Sequence, residues 1–446
     1  MLSVLRNRTY RHLFAAQVIA LAGTGLATVA LGLLAYDIAG AEAGSVLGTA
    51  LGIKMVAYVV IAPAVGAVAG RTPRRALLAG ADLTRAGAAL TLPFVDQVWQ
   101  VHVLIFLLQS ASAAFTPTFQ AVIPEVLPAE RDYTQALSLS RLAYDLESLF
   151  SPALAAALLS LITYDRLFLG TAAGFLASAA LVLSAVLPKP VAAPGPRTGG
   201  ACAGLRLFFS VPRLRALLPL DLAVAAASAM VTVNTVVYVR DRLGRDATDV
   251  PVALGAYGAG SMAVALLLPR LLARTPDRTV MLRGALLLTP VFAALGALTA
   301  AGGGGLRWPA LLLVWAAFGA ACSLVLTPTG RLVRRSAPPE ERARAFAAQF
   351  SLSHGCWLLT YPLAGWLGAT AGLAWAVAAL GAIALAAGVL AVRLWPPRET
   401  APAGHDPTDL PDDGHRAGPR RTRPRRGGTA PVRGPVPDGR FPHDPA

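Results

Sequence analysis

The sequence predicts an all-α membrane protein: twelve transmembrane helices in two six-helix bundles related by a parallel pseudo-two-fold axis. Three observations predict it. Of 446 residues, 55% are hydrophobic and only 14% charged, more apolar surface than a water-soluble core hides, so lipid must solvate most of the chain. The apolar residues fall into twelve stretches of about twenty, the length that crosses roughly 30 Å of hydrocarbon at about 1.5 Å per residue. The chain also repeats itself. Arg71-Thr72-Pro73-Arg74-Arg75 returns as Arg274-Thr275-Pro276-Asp277-Arg278, and Thr116-Pro117-Thr118 with Pro128, Glu130 and Arg131 returns as Thr327-Pro328-Thr329 with Pro339, Glu341 and Arg342.

In order, the spans lie near 13–36, 45–69, 76–95, 99–120, 136–162 and 167–187, then 214–238, 251–273, 279–300, 308–328, 344–368 and 372–395. An even number per half keeps both copies in one orientation, so the repeat is parallel, as in secondary transporters with an axis along the membrane normal. Matching turns then fall at matching depths, the Arg-Thr-Pro pair between spans 2 and 3 and between 8 and 9, the Thr-Pro-Thr pair between 4 and 5 and between 10 and 11. The chain divides into an N-terminal bundle, 1–187, a linker, 188–212, a C-terminal bundle, 213–395, and a tail, 396–446. Ala193-Pro194-Gly195-Pro196 marks the linker as flexible. The tail is rich in proline, glycine and arginine without an apolar period, and is expected to be disordered. The first apolar stretch is too long for a signal-peptide core and lacks a cleavage site, so the mature protein is expected to start at Met1.

The formal net charge of +15 could point to nucleic acid, but the placement of the charges decides against it. With both termini cytoplasmic, twenty Lys and Arg up to Arg344 fall inside and five outside, which is the positive-inside bias of a multi-pass plasma-membrane protein. Cys202, Cys322 and Cys356 have no paired spacing, and His405, His415 and His443 are far apart, so neither a disulfide framework nor a metal site is expected. No cofactor is expected either. The chain lacks a nucleotide-binding Gly-x-x-x-x-Gly-Lys-Ser/Thr motif, and an ion gradient is left as the energy source.

Lys54 lies near the midplane of span 2, where a charge costs about 2.5–3.5 kcal/mol on insertion scales and needs a partner or a watery cavity. On span 5, Arg141 and Asp145 are four apart and share a face, while Glu147 points elsewhere. A carboxylate balanced between burial and a neighbouring cation is what proton exchange needs. Asp145, Glu147, Arg141 and Lys54 are therefore the candidates for proton coupling. The alternative for Asp145 with Arg141 is a static ion pair that fixes packing.

Gly66-Ala67-Val68-Ala69-Gly70-Arg71-Thr72-Pro73-Arg74-Arg75 resembles the signature Gly-x-x-x-Asp-Arg-x-Gly-Arg-Arg/Lys of the major facilitator superfamily. Asp82-Leu83-Thr84-Arg85 and the stretch from Leu137 to Ser148 look like its branch of macrolide, siderophore and nickel-resistance exporters. The resemblance implies a proton-coupled exporter of a small toxic or amphipathic molecule, working as a monomer by alternating access. It also implies a cytoplasmic gating motif of Gly66, Arg71, Arg74, Arg75, Asp82 and Arg85. The signature's acid is Gly70 here and its second glycine is Pro73, so the charge relay that latches the halves lacks its acid unless Asp82 supplies it. The antiporter glycine signature of span 5 is reduced to Ser151-Pro152-Ala153. In the family, spans 1, 4, 7 and 10 line the cavity and 2, 5, 8 and 11 flank it. Gln17, Gln109, Asn234, Tyr257, Gln349, His354, Trp357 and Tyr361 are then candidate substrate contacts; each is otherwise interhelical glue. His354 and Cys356 point to different faces and are not a metal pair. The histidine-poor tail argues against nickel, though divalent-metal or siderophore export stays an alternative. A polytopic enzyme acting on a lipid-linked substrate would need a cluster of nucleophile or metal ligands, and a sensor would need a further soluble domain.

Overall fold

The computed structural model describes residues 2–39, 43–68, 72–188, 202–246, 248–301 and 305–395. The tail 396–446, most of the linker, and Gly70 and Arg71 of the gating motif lie outside the described residues. Within them the chain forms fourteen α-helices and no strand. The first half comprises α1 Arg8–Ala39, α2 Ala43–Val68, α3 Arg74–Thr91, α4 Val98–Val126, α5 Glu130–Leu159 and α6 Tyr164–Ser184. Two short helices follow, α7 Cys202–Ser210 and α8 Pro212–Arg215. The second half comprises α9 Leu217–Val237, α10 Asp249–Leu272, α11 Asp277–Ala300, α12 Arg307–Ser336, α13 Arg342–Thr370 and α14 Leu373–Leu394.

The breaks follow local chemistry. Pro73 and Pro276 stand in extended backbone directly before α3 and α11, where proline ends one helix and sets up the next. Gly372, at φ 91°, makes the tight turn between α13 and α14, a backbone region that side chains enter only at a cost. The Thr-Pro-Thr repeats differ from expectation. They lie inside α4 and α12, not between spans. Thr118 Oγ1 donates to the Ala114 carbonyl at 2.7 Å and Thr329 Oγ1 to the Val325 carbonyl at 3.0 Å, so each helix runs through its proline with the threonine hydroxyls satisfied internally. The linker also differs: α7 falls within it, and its Phe208 is fully buried.

Ten helical stretches are long and apolar enough to cross a membrane by length and composition. The other two long helices are excluded by their polarity. α3 carries Arg74, Arg75, Asp82 and Arg85 in eighteen residues, and α13 carries Arg342, Arg344, Gln349, Ser351, Ser353 and His354.

In the first half α1 packs on α5 and α6, α2 on α4, and α3 on α4 and α6. In the second, α9 packs on α13 and α14, α10 on α12, and α11 on α12 and α14. The halves meet where α2 and α4 touch α13, and where α5 touches α10 and α12. The largest apolar core surrounds α9, whose Leu217, Leu220, Val224 and Met230 are fully buried against α11, α12 and α14. Outward-facing Leu51, Val60, Leu313, Leu359 and Trp366 are more than half exposed, the surface that acyl chains solvate in a membrane protein. Because successive helices alternate in direction, the α2–α3, α4–α5, α10–α11 and α12–α13 turns share one end of the molecule, called the basic face below after its arginines.

Candidate functional site

Three polar constellations lie on helices at the seam between the halves. The first lies where α2, α4 and α5 face α13. Half-buried Lys54 places its ammonium 5.7 Å from the centroid of the Tyr58 ring, one turn along α2. The charge opposing it is Glu147 of α5, which also bonds Ser151 and lies near Gly25 of α1. Tyr58 donates to Gln109 Oε1 at 3.0 Å and packs against Phe350 and His354 of α13, with centroids at 5.0 and 4.7 Å. His354 Nδ1 donates to the Phe350 carbonyl at 2.7 Å and its ring contacts Trp357 at 5.1 Å. Tyr144 of α5 lies beside Gln17 of α1, whose Oε1 accepts from Ser140 at 3.0 Å. The Trp357 indole N–H is buried without a partner. Aromatic walls, one ammonium opposing one carboxylate and one unspent donor form a place where an amphipathic molecule could bind beside a group able to change charge.

The second constellation is a bridge between the halves. Arg141 and Asp145 pair at 3.0 Å on α5; Ser261 of α10 donates to Asp145 Oδ2 at 2.7 Å and accepts from Arg141 Nε at 3.0 Å. Tyr257, one turn before Ser261, lies beside Ser228 of α9 and Cys322 of α12. Asp145 is thus satisfied by a cation and a hydroxyl, while Glu147 faces Lys54 two residues on, as their spacing anticipates.

The third lies at the basic face. Arg331 of α12 reaches Glu130 at 2.5 Å, Asp277 at 3.2 Å and the Thr134 hydroxyl at 2.6 Å. Arg335 pairs with Asp277 at 2.7 Å and also with Glu130, and Arg334 donates to the Pro128 carbonyl. One network therefore ties α11 and α12 to α5. In the first half Arg74 pairs with Glu125 of α4, and Glu125 lies near enough to Arg342 of α13 to interact with its charge. The repeat places Arg74 where Asp277 stands in the second copy, so the charges are exchanged between helix start and partner helix. Gly66 lies at the seam as well, where a methyl group would come within 2.7 Å of Ala347 Cβ on α13. Arg75 is exposed.

Asp82 does not supply the missing acid of the latch. It is fully buried inside the first half, paired with Arg85 and accepting from Ser178 of α6 at 2.7 Å. Arg85 is held between the Phe115 and Phe175 rings at 4.4 and 4.5 Å. Three expected cavity contacts are also spent elsewhere. Asn234 Nδ2 donates to Met230 Sδ at 3.7 Å, Tyr361 lies beside Thr232, and Gln349 Nε2 donates to Asp221 Oδ2 at 2.7 Å. His354 and Cys356 do face different neighbours, Tyr58 on α2 and the Leu218 carbonyl on α9. Among the described residues no three His, Cys, Asp or Glu side chains gather as a metal site. Sequence reasoning missed Tyr58, Tyr144, Asp221 and the partners in the latch. Tyr58 could have been found as the residue one turn from a lone intramembrane lysine.

The profile of the Major Facilitator Superfamily matches residues 13–306 and 289–435. The chain belongs to the major facilitator superfamily. It is a multi-pass integral membrane transporter, not an enzyme, of a family that carries small-molecule substrates. Macrolide efflux protein A of Enterococcus faecalis is 30% identical over 137 residues, 30% of this chain and 42% of that protein. The protein of the same name from Streptococcus pyogenes is 32% identical over 120 residues, 26% of this chain and 29% of that protein. The chain therefore aligns with less than half the length of these relatives. The fold is shared with the human organic anion transporter MFSD10 (TETRAN), with a TM-score of 0.72 and 15% identity over 86% of this chain and 99% of that one. It is shared too with a bacterial homologue of the iron transporter ferroportin in its outward-facing state, with a TM-score of 0.71 and 16% identity over 86% of this chain and 99% of that one.

Proposed function

We propose that this superfamily member is a proton-coupled exporter of a small amphipathic organic molecule, built as two six-helix bundles that rock about a central site. The observation that carries the reading is the opposed pair Lys54 and Glu147 beside Tyr58, His354 and Trp357. In low dielectric the Glu147 carboxylate takes up either a proton or a cationic group, and protonating it removes the charge that would hold a cationic substrate. A proton and a substrate then compete for one site, which is the requirement for exchange. Aromatic walls and a single nearby carboxylate favour an organic cargo over a hard metal ion, which needs several oxygen or nitrogen ligands. Likeness to macrolide efflux proteins supports export.

Twelve crossings in two bundles, residues 1–187 and 213–395, are supported by the packing. α3 and α13 each lie among apolar spans, and the pairings of the first half recur in the second when α1–α6 are matched to α9–α14. The α2–α13 contact maps onto the α10–α5 contact, as a two-fold axis requires. With the arginine turns cytoplasmic, both termini are cytoplasmic in the plasma membrane and one chain holds the whole seam, so a monomer suffices. The Arg331 network then closes the cytoplasmic side, a state open to the outside.

Proteoliposomes with an acidic lumen, offered a panel of macrolides and other amphipathic drugs, should accumulate at least one of them well above vesicles lacking the gradient. Equal accumulation with and without the gradient for every compound rejects proton coupling. Net uptake into cells of a compound that restores growth reverses the direction.

A further inference from the structure

Asp221, in the second turn of α9, is 1% exposed, and among the described residues no charged side chain pairs with it. Its Oδ2 accepts from Gln349 Nε2 of α13 at 2.7 Å; its Oδ1 is buried with no partner, and so is the Oε1 of Gln349. The elements packed on α9 are α8, which carries Arg213 and Arg215, the turn Tyr238–Arg242, and α10, α11, α12, α13 and α14; the titratable group among them that interacts with Asp221 is the Cys356 thiol. Two buried acceptor oxygens without a donor between them are an unbalanced arrangement. An ionised carboxylate with one hydrogen bond and no counter-cation is costly inside a membrane protein, whereas the carboxylic acid brings the donor that is missing.

The way out for a proton runs past α13. That helix is held between α9 on one side and α2 on the other. Two residues after Gln349, Ser351 Oγ donates to the Val59 carbonyl of α2 at 2.6 Å; next to Gln349, Phe350 packs on Tyr58; and Ala347 meets Gly66. In the alternating-access reading, opening the basic face would lift α2 from α13 and admit water to the far side of the helix that shields Asp221.

We propose that Asp221 is a second proton-binding site, in the C-terminal half, that carries its proton while the basic face is closed and releases it to water when that face opens. The O–H bond of the carboxyl breaks, the proton passes to water on the basic-face side, and the carboxylate left behind takes its next proton from water on the opposite side of the membrane once that side opens. Asp221 would thus carry one proton across the membrane in each cycle, independently of Glu147. This inference rests on the alternating-access reading but not on the cargo.

Two measurements test it, with Asp221→Asn as the isostere of the protonated form, expected to keep the fold. Infrared difference spectra of the reconstituted protein should contain a protonated-carboxyl band at neutral pH that Asp221→Asn removes and Asp145→Asn keeps. In proteoliposomes loaded with erythromycin, Asp221→Asn should lose at least tenfold in transport driven by a pH gradient, while substrate exchange across equilibrated vesicles, which needs no net proton movement, continues. A neutral-pH spectrum that Asp221→Asn leaves unaltered overturns the site, and gradient-driven transport equal to wild type overturns its part in the cycle. If the wild-type protein moves no erythromycin, the proposal about cargo fails on its own and the infrared spectra still decide the site.

Discussion

Glu147→Gln should reduce pH-gradient-driven transport in proteoliposomes to the level of empty vesicles without lowering the yield of folded protein. The amide keeps the shape of the side chain and can still bond Ser151, but it can neither release a proton nor neutralise Lys54. Lys54 would then stand near the middle of α2 without a counter-charge, a burden of about 2.5–3.5 kcal/mol on insertion scales, so substrate affinity should shift with coupling. Asp145→Asn should act differently. Its carboxylate joins Arg141 and Ser261 across the α5–α10 seam, so loss of charge loosens the bridge and uncouples the halves. Undiminished gradient-driven transport in both variants would end the assignment of proton exchange to α5.

Gly319→Val should cost the protein its fold. α10 and α12 touch backbone to backbone there: a Cβ at Gly319 would strike the Tyr257 carbonyl and crowd the Ser261 amide, and one at Gly260 would strike the Ala316 carbonyl. Neither obstacle is a side chain able to rotate away, so the helices must separate. The overpacking cost should exceed the usual range of about 1–3 kcal/mol. Separation would also displace Tyr257 and Ser261 from Cys322 and Asp145. The expected result is loss of monodisperse protein in detergent, or a melting midpoint lowered by many degrees, for Gly319→Val, with Gly80→Val, whose Cβ would meet nothing, as the tolerated control. A Gly319→Val protein as stable as wild type contradicts the close approach.

Much of this was legible because lipid leaves so few options. Apolar stretches of membrane-crossing length can only be helices, and the duplicated turns revealed the pairing of the halves. The spacing of Arg141 and Asp145 gave their ion pair, and Lys54 advertised its need for a partner by standing alone. What stayed hidden depends on helices distant in sequence. Nothing local says that Arg331 and Arg335 reach Glu130, 201 and 205 residues earlier by numbering, nor that Asp82 turns inward to Ser178. The Thr-Pro-Thr motif read as a turn because its residues favour turns, yet their hydroxyls satisfied the helix instead. Asp221 was visible as a lone acid in Leu217-Leu218-Pro219-Leu220-Asp221-Leu222. Close to a helix start it reads as interfacial, and only packing reveals its burial.

Reciprocal motion at the two faces is the central claim, and paired spin labels measure it directly. In a background with Cys202, Cys322 and Cys356 replaced by alanine, one pair at Arg131 and Pro338 spans the basic face, and another at Leu161 and Asp246 spans the opposite one; all four positions are exposed. The account predicts a short basic-face distance and a long opposite-face distance in the resting protein, exchanging in opposition when substrate and proton are supplied. Arg331→Ala, which removes that side chain's contacts with Glu130, Thr134 and Asp277, should shift both populations towards the open basic face without any ligand. Distances at both faces that stay fixed, or that lengthen and shorten together, would contradict a carrier working by alternating access.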